Sequence, residues 1–299
     1  MKKKTIKFKI IDILLILGII LPLVIAMVIK ILITPAAEGV TLTGPNIFVI
    51  IPMPFQPLYI NESVINSFCV IISILFICLY LTHGISEKPQ TKRQLLVEWI
   101  YSKVKSLVKD NMGDAFSVFG PFVAAILSLS ALSSLMSMLG LFPPTSDLNI
   151  TAGWAILVFI LITYYKFKCG PVYYIKGFCQ PVAFLAPINF ISEFATPVSM
   201  AFRHYGNILS GVVVSLLIST GLTELSDLLF GWVSGVLGGV PFLRVGVPAV
   251  FSIYFDVFSG CLQAFIFAML TMMYVSGAFD ADEFTRRRMI KLQKQNKNK

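Results

Sequence analysis

Charged residues are scarce in this sequence. They make up 13% of its 299 residues, whereas apolar residues make up 57%. A soluble domain carries roughly 25% charged residues, so the shortage excludes an ordinary soluble surface. Several apolar runs approach the ~20 residues that a bilayer-spanning helix needs. The sequence therefore predicts an all-α membrane protein with about six membrane segments, at residues 10–33, 64–83, 119–142, 150–167, 181–222 and 245–275.

Three further patterns are absent, and each absence argues against a class of function. The five cysteines form no CxxC pair, which favours apolar packing over a metal or disulfide framework. A GxxxxGK[ST] phosphate loop is also absent, so we expect no ATPase activity from the chain alone. No internal repeat is apparent, which disfavours a secondary transporter. Neither a cofactor nor a bound metal is expected.

Lysine and arginine are missing from segment 34–63 and concentrated elsewhere. Five lie in the N-terminal tail, six in 84–118, three in 166–176 and seven in the C-terminal tail, of 24 in total. This alternation follows the positive-inside rule and predicts that both termini are cytoplasmic. The net charge of +9 therefore indicates contact with anionic lipid headgroups, and no nucleic-acid partner is expected.

The first membrane segment has two interpretations. A basic start followed by an apolar run could be a signal peptide. The run covers about 24 residues, however, and exceeds the 7–15 residues of a usual signal-peptide core. An uncleaved helix is therefore favoured over a cleaved one. Segment 34–63, which is rich in proline, is predicted to be an extracytoplasmic loop.

Residues 92–111 are predicted to form an amphipathic helix on the cytoplasmic membrane surface. Apolar residues recur at helical spacing, and most of the basic residues lie off that stripe. The stripe consists of Leu96, Ile100, Val104, Leu107 and Val108.

The last two membrane segments are too long to stand upright. A helix over residues 181–222 would reach about 60 Å, twice the thickness of the hydrocarbon layer. This segment must be broken, strongly tilted or both, and Pro181, Pro187 and Pro197 offer places to bend. The segment from Val245 to Ala278 presents the same problem.

Arg203 lies about midway along the fifth segment, where a charge costs from ~3 to more than 10 kcal/mol. Ser199 and Asn207 lie four residues before and after it, on the same helical face. Arginine stays protonated, so Arg203 would act as a fixed positive charge and not as a proton carrier. The alternatives are an arginine that snorkels to the interface or pairs within the chain.

Carboxylates are predicted on both sides of Arg203. Asp256 belongs to a polar stripe on the last segment, which consists of Ser252, Asp256, Ser259 and Gln263. Gln263 would lie at a depth similar to that of Arg203. Asp147 and Asn149 begin the fourth segment, where a pathway role and a helix N-cap role have equal support. Glu193 lies on the other side of Arg203, and an interfacial carboxylate is its alternative interpretation. Acids on either side of a permanent cation suggest two half-paths that are not directly joined.

Three motifs resemble subunit a of the membrane sector of bacterial F-type ATP synthases, over roughly residues 64–280. PVSMAFRHYGNILSG (197–211) is similar to the family pattern P-S-L-x-x-R-L-x-G-N-x-x-x-G. LQAFIFAMLTMMY (262–274) resembles the family's last-helix signature, and TSDLNITAGWAILVFILI (145–162) resembles the start of its fourth span. Because the three motifs occur in matching order, together they are more specific than any one alone.

The resemblance implies an ion-translocating stator subunit of a rotary ATP synthase in a bacterial plasma membrane. Arg203 would face the carboxylate of a rotating ring of c subunits and separate two half-channels, with Gln263 orienting it. Other partners would be the b subunits of the peripheral stalk and further ATP synthase subunits. The translocated ion, H⁺ or Na⁺, would be selected mainly by the ring. The resemblance assigns Asp256, Asp147 and Asn149 to the outer half-channel and Glu193, Ser199 and Asn207 to the inner one.

The resemblance also divides the chain. Residues 1–63 would be an extra membrane helix and an extracytoplasmic loop, 64–280 the core with its half-channels, and 281–299 a basic cytoplasmic tail. Val212 stands where many members carry an acid or histidine, so Asp256 would act alone in the outer path. His204 replaces a common leucine, and a packing or hydrogen-bonding role is favoured for it over a proton relay.

Two other functions remain open from the sequence. A secondary transporter or ion channel could use Arg203 to bind an anionic substrate. A purely structural membrane protein could pair Arg203 internally.

Overall fold

A computed structural model describes residues 2–33, 44–54, 56–86, 91–179, 182–230, 250–251, 253–280, 284–286 and 289. Most of these residues are in α-helices, which are connected mainly by 3₁₀ turns and one β-hairpin. The helices are α1 (Lys2–Ile33), α2 (Glu62–Thr82), α3 (Lys92–Met112), α4 (Gly120–Leu135), α5 (Leu148–Cys169), α6 (Pro171–Phe178), α7 (Ala186–Phe230) and α8 (Gly260–Gly277).

Six helical segments of the described chain are long and apolar enough to cross a membrane, which confirms the predicted number. They are Lys9–Leu32, Glu62–Thr82, Asp114–Leu139, Leu148–Cys169, Ala186–Leu229 and Ile253–Gly277. The predicted beginnings at residues 181 and 245 lie outside the described residues, and the fifth segment extends past its predicted end at 222.

Two opposite sides of the bundle can be told apart by their contacts. On one side the start of α1 reaches the beginning of α3, since Asp12 contacts Arg93. We name this the basic side, and it also carries the ends of α5 and α8, where the Cys169 thiol contacts the Asp280 backbone. On the hairpin side the end of α1 meets the start of α2, through Lys30 and Glu62.

The core lies among α3, α4, α5, α7 and α8. Its largest fully buried side chains include Phe267 and Met272 of α8, and Val123 and Val158 from α4 and α5 pack into the same cluster. Small buried hydroxyls of α4 accompany them, and Ser134 lies so close to Gly260 that a Cβ there would approach the Ser134 Cβ to 2.8 Å. Close helix approach through small residues is typical of packing inside membranes.

The predicted surface helix is present as α3. Thr91 caps it by accepting a hydrogen bond from the Gln94 amide, and Gly113 ends it with a φ of +78°, which favours glycine. The apolar stripe divides into two parts. Val108 is buried in the core, whereas Leu96 and Ile100 remain exposed on the chain. The first half of the stripe is therefore free to contact lipid, and headgroup contact stays a prediction.

Part of the predicted extracytoplasmic loop is a β-hairpin. Strand β1 (Ile47–Ile51) pairs antiparallel with β2 (Leu58–Asn61), and residues 34–43 lie outside the described part. The β-branched and aromatic residues in IFVII and LYIN favour extended structure. The described prolines of this segment lie before β1 or between the two strands, where they interrupt no paired amide.

Helix α7 is continuous over 45 residues, from Ala186 to Phe230, with Pro197 inside it. At 1.5 Å per residue it spans about 67 Å. The sequence predicts that this segment is broken, strongly tilted or both. The structure has no break between Ala186 and Phe230, so accommodation in a bilayer requires tilt or curvature. Pro181, the first predicted bending point, lies outside the described residues.

Candidate functional site

Arg203 stands on an exposed face of α7. Ser199 and Phe202 are exposed beside it, and a Cβ placed on Gly206 would meet no atom within 4 Å. Among the residues that the structure describes, no hydrogen bond or ion pair is formed by Arg203. The internally paired arginine of the alternative interpretation is therefore absent from the described part of the chain. This face has room for another helix and offers it one unpaired positive charge.

The segments α7 and 253–277 run antiparallel in a defined register. The Asn207 Nδ2 donates to the Ser259 carbonyl (3.3 Å), and the Ser259 hydroxyl donates to the Asn207 Oδ1 (3.0 Å). One turn further along α7, a Cβ on Gly211 would lie 3.2 Å from the Phe255 Cβ. The same four-residue step in the other direction places Arg203 opposite Gln263. The two share a depth, as the sequence predicts.

Gln263 nevertheless faces away from Arg203 in this chain. Its side chain is buried, whereas the guanidinium is exposed, and no hydrogen bond joins the two. That Gln263 orients Arg203 stays a prediction.

Asp256 lies within a π-helix, Ile253–Ser259, that precedes α8. A π-helix closes i→i+5 hydrogen bonds and is wider than an α-helix, so residues before it are rotated relative to those after it. The polar stripe inferred with α-helical spacing is modified at this point, and its first member, Ser252, lies outside the described residues. Asp256 is half-buried and lies closer to the hairpin side than Gln263.

His204 is fully buried next to Arg203. Its Nε2 lies 3.2 Å from the Ser130 hydroxyl, and its ring makes edge contacts with Trp154 (5.7 Å) and Phe267 (5.5 Å between centroids). The Nδ1 has no hydrogen-bond partner in the described part of the molecule. These contacts agree with a packing or hydrogen-bonding role, and the preference for that role over a proton relay stays a prediction.

On the hairpin side, two helix caps are bonded to each other. Asp147 is the N-cap of α5, because its Oδ1 accepts a hydrogen bond from the Asn149 amide (3.0 Å). Its Oδ2 accepts one from the Asn61 Nδ2 (2.9 Å), and Asn61 itself caps α2. The N-cap interpretation thus holds for Asp147, while the Asn149 side chain is exposed. A pathway role of either residue stays a prediction.

On the basic side, Glu193 is paired with Lys166. The Lys166 Nζ lies 2.6 and 2.5 Å from the two carboxylate oxygens, and the Glu193 side chain is only 12% exposed. Burial and then the Glu193 carboxylate, which accepts a hydrogen bond from the Tyr174 hydroxyl, raise the pKa of Tyr174. Two adjoining cavities, about 310 and 350 Å³, share Lys166, Glu193 and Asn189 in their walls.

Sequence reasoning missed several polar residues that the fold brings together. They include Glu62, which is 4% exposed at the start of α2, and Lys166, whose only signal in the sequence is its contribution to the positive-inside pattern. For Glu62 a local signal existed, since Asn61 followed by an acid before an apolar run is typical of a helix N-terminus. The Lys166–Glu193 pair joins residues 27 positions apart and has no local signal.

Comparison with known proteins agrees with this architecture. The family model described as ATP synthase A chain matches residues 64–276. ATP synthase subunit a of Listeria monocytogenes serovar 1/2a is 32% identical over 228 residues, which cover 72% of this chain and 90% of that protein. ATP synthase subunit a of Legionella pneumophila strain Paris is 27% identical over 226 residues, which cover 75% and 89%. The chain belongs to the ATP synthase A chain family and is a multi-pass subunit of the ATP synthase membrane sector.

Proposed function

We propose that this chain is the ion-translocating stator subunit of a rotary F-type ATP synthase in a bacterial plasma membrane. It would present two offset half-channels to a rotating ring of c subunits, with both of its own termini on the cytoplasmic side. The b subunits of the peripheral stalk and anionic headgroups beside α3 would complete its surroundings. The basic side of the bundle would then be the cytoplasmic side, as the positive-inside rule requires.

The observation that carries the proposal is the unpaired, exposed guanidinium of Arg203 in the middle of a membrane helix. A permanent cation in that position is costly unless an anion meets it. The described part of the chain supplies no such anion. A carboxylate on a ring helix, packed on the open face beside Gly206, would complete the pair.

The same charge explains why the two half-channels do not leak into each other. Attraction to Arg203 favours the ionised form of a ring carboxylate, which therefore releases its ion as it passes. The fixed positive charge also opposes direct passage of a cation from one half-channel to the other. Ions would travel between the half-channels only on the rotating ring.

The outer half-channel would use the acids on the hairpin side of Arg203. Asp256 is half-buried one turn beyond Ser259, and Asp147 lies at the start of α5 with Asn149 beside it. Because Val212 replaces the partner acid of many family members, Asp256 would serve as the only acid in the deeper part of this path.

The inner half-channel would open on the basic side. The cavities beside Glu193 support that assignment, since they lie toward the α7 start from Ser199 and Arg203. The Lys166–Glu193 ion pair lies in the walls of both cavities, so Glu193 would form part of a polar entrance to this path. Asn207, which is bonded to Ser259, would fix the helix register at the boundary of this path.

Substitution of Arg203 tests the proposal. Arg203→Ala complexes are expected to assemble but to lose ATP-driven ion pumping, and to leak ions passively. Arg286→Ala, which removes an arginine after the last span, is the matched control and should pump normally. Pumping is measured in inverted membrane vesicles and divided by the amount of assembled complex. Undiminished pumping by assembled Arg203→Ala complexes would refute the assignment.

The translocated ion is tested separately. ATP-driven transport into proteoliposomes is measured with and without sodium. Transport that continues in sodium-free buffer identifies H⁺ as the ion, and transport that requires sodium identifies Na⁺.

A further inference from the structure

The first helix, α1, is held against the rest of the chain at both of its ends. On the basic side, the Asp12 Oδ1 lies 3.1 Å from the Arg93 Nη1 and 3.1 Å from the His83 Nδ1. Arg93 also donates a hydrogen bond to the His83 carbonyl. These contacts tie α1 to the end of α2 and the beginning of α3.

The middle of α1 packs closely on α2. A Cβ on Gly18 would overlap the ring of Phe76, so any other residue at this point would require that ring to move. The Ser73 hydroxyl donates to the Ile19 carbonyl (3.0 Å), and Ala26 is buried in a small cluster with Val70. Small residues and an interhelical hydrogen bond are the usual means by which membrane helices associate.

On the hairpin side, Lys30 of α1 neutralises a buried acid. Its Nζ lies 3.3 Å from the Glu62 Oε1 and donates to the Gly140 carbonyl at 2.7 Å. Glu62 is 4% exposed and also accepts hydrogen bonds from the Asn46 Nδ2 (3.1 Å) and the Phe142 amide (3.2 Å). Removing Lys30 would leave the buried Glu62 carboxyl group without its cationic partner, which is unfavourable.

Glu62, the acid that Lys30 contacts, is connected to Asp147 through its neighbour in the sequence. It follows Asn61, whose side-chain amide donates a hydrogen bond to the Asp147 carboxylate. Glu62 also holds the Phe142 amide, five residues before Asp147 in the chain. A displacement of Glu62 would therefore move both the donor to Asp147 and the segment that leads to it.

We propose that Lys30 is a positioning residue for the outer half-channel and that α1 is consequently kept in the mature protein. This inference rests on the proposed function, and it concerns a helix that precedes the region matched by the family model, residues 64–276. The match to the family therefore assigns no role to Lys30 or to α1. The extra helix α1 would therefore be more than a membrane anchor, because its Lys30 would pair with Glu62 on the hairpin side.

Four variants of the full chain, each in the assembled ATP synthase, test the inference. Lys30→Met removes the charge, Lys30→Arg keeps it, and Lys30→Met with Glu62→Gln removes both members of the pair. Lys109→Met is the matched control, because Lys109 forms a strongly exposed pair with Asp114. Pumping per assembled complex, the amount of complex and its thermal midpoint in detergent are measured for each, together with the intact mass of the mature chain.

The expected mass includes α1. Lys30→Met should lower pumping per complex about threefold or more. Lys30→Arg and Lys109→Met should stay near the unmodified rate, and the double variant should recover much of the loss, because no buried charge is left unpaired. A mass that lacks α1, or a Lys30→Met variant that loses complex but keeps its pumping per complex, overturns the inference.

Failure of the proposed function would be recognised separately. The mass of the mature chain and the thermal midpoints of the Lys30 variants report on the attachment of α1 through Lys30 and Glu62 whether or not ions move. Pumping by Arg203→Ala complexes would reject the two half-channels while leaving those two measurements intact.

Discussion

The side chains of Asn207 and Ser259 bind each other reciprocally, and this pair sets the register of the two helices that carry the ion-path candidates. Asn207 donates to the Ser259 backbone and accepts from its hydroxyl. With this register, Arg203 and Gln263 lie at one depth. The pair joins an α-helix to the last residue of a π-helix, where the helical geometry changes. A change at this pair should therefore affect the alignment of Arg203.

A double-mutant cycle measures the strength of this pair. Interhelical hydrogen bonds in membrane proteins average about 0.6 kcal/mol in such cycles. Asn207→Ala and Ser259→Ala should each lower the free energy of unfolding, and the double variant should lower it by less than the sum, with a coupling of about 0.6 kcal/mol. Unfolding is followed by denaturant titration in detergent. Strict additivity would show that the two residues do not stabilise the register.

The His204 contacts predict a structural effect without a functional one. In His204→Leu the ring volume is largely kept, but the buried Ser130 hydroxyl loses its partner, which should cost about 1–3 kcal/mol of unfolding free energy. Adding Ser130→Ala should recover part of this loss, since no buried polar group is then left unpaired. Pumping per assembled complex should not change. A loss of pumping in His204→Leu complexes of normal stability would instead indicate a proton relay.

The helices were predictable because their signal is local. A run of about 20 apolar residues has few alternatives to a membrane helix, and each of the six runs contains a spanning helix within its described residues. The hairpin at 47–61 was not predicted, because the prolines of this segment indicate a loop. The continuity of α7 through Pro197 could not be predicted from the sequence either. Whether a proline breaks a membrane helix depends on whether neighbouring helices compensate for the lost hydrogen bond.

The candidate site was predictable in depth but not in its contacts. Chain direction alone places Arg203 near Gln263, and the structure has that register. Whether two side chains face each other depends on the rotation of each helix about its own axis, which an apolar run does not determine. For this reason the Lys166–Glu193 pair was not anticipated, and Gln263 proved to be buried away from the guanidinium.

Tyr174 offers a pH-dependent check on the basic side of the bundle. Burial and the Glu193 carboxylate both disfavour the tyrosinate, and the hydrogen bond to Glu193 holds the neutral form, so the pKa of Tyr174 is raised above 10.0. In Glu193→Gln the repulsion disappears but burial remains. The pKa of Tyr174 should therefore fall without returning fully to its ordinary value.

The titration can be followed by NMR of tyrosine labelled at Cζ. Tyr174→Phe identifies the signal, and Tyr101, an exposed tyrosine of α3 outside this cluster, serves as the internal reference. A pKa of Tyr174 that stays constant or rises in Glu193→Gln would contradict the arrangement of Glu193 around the tyrosine hydroxyl.

Substitution of Asp147 separates its two roles on the hairpin side. Asparagine caps helices about as well as aspartate, whereas alanine forfeits the cap, so Asp147→Ala should lower the unfolding free energy by about 1 kcal/mol and Asp147→Asn by much less. If Asp147 also belongs to the outer half-channel, both variants should pump more slowly per assembled complex. Asn149→Ala, which leaves the capping carboxylate in place, is the control for stability. Normal pumping by Asp147→Asn would restrict Asp147 to capping and leave Asp256 as the acid of the outer path.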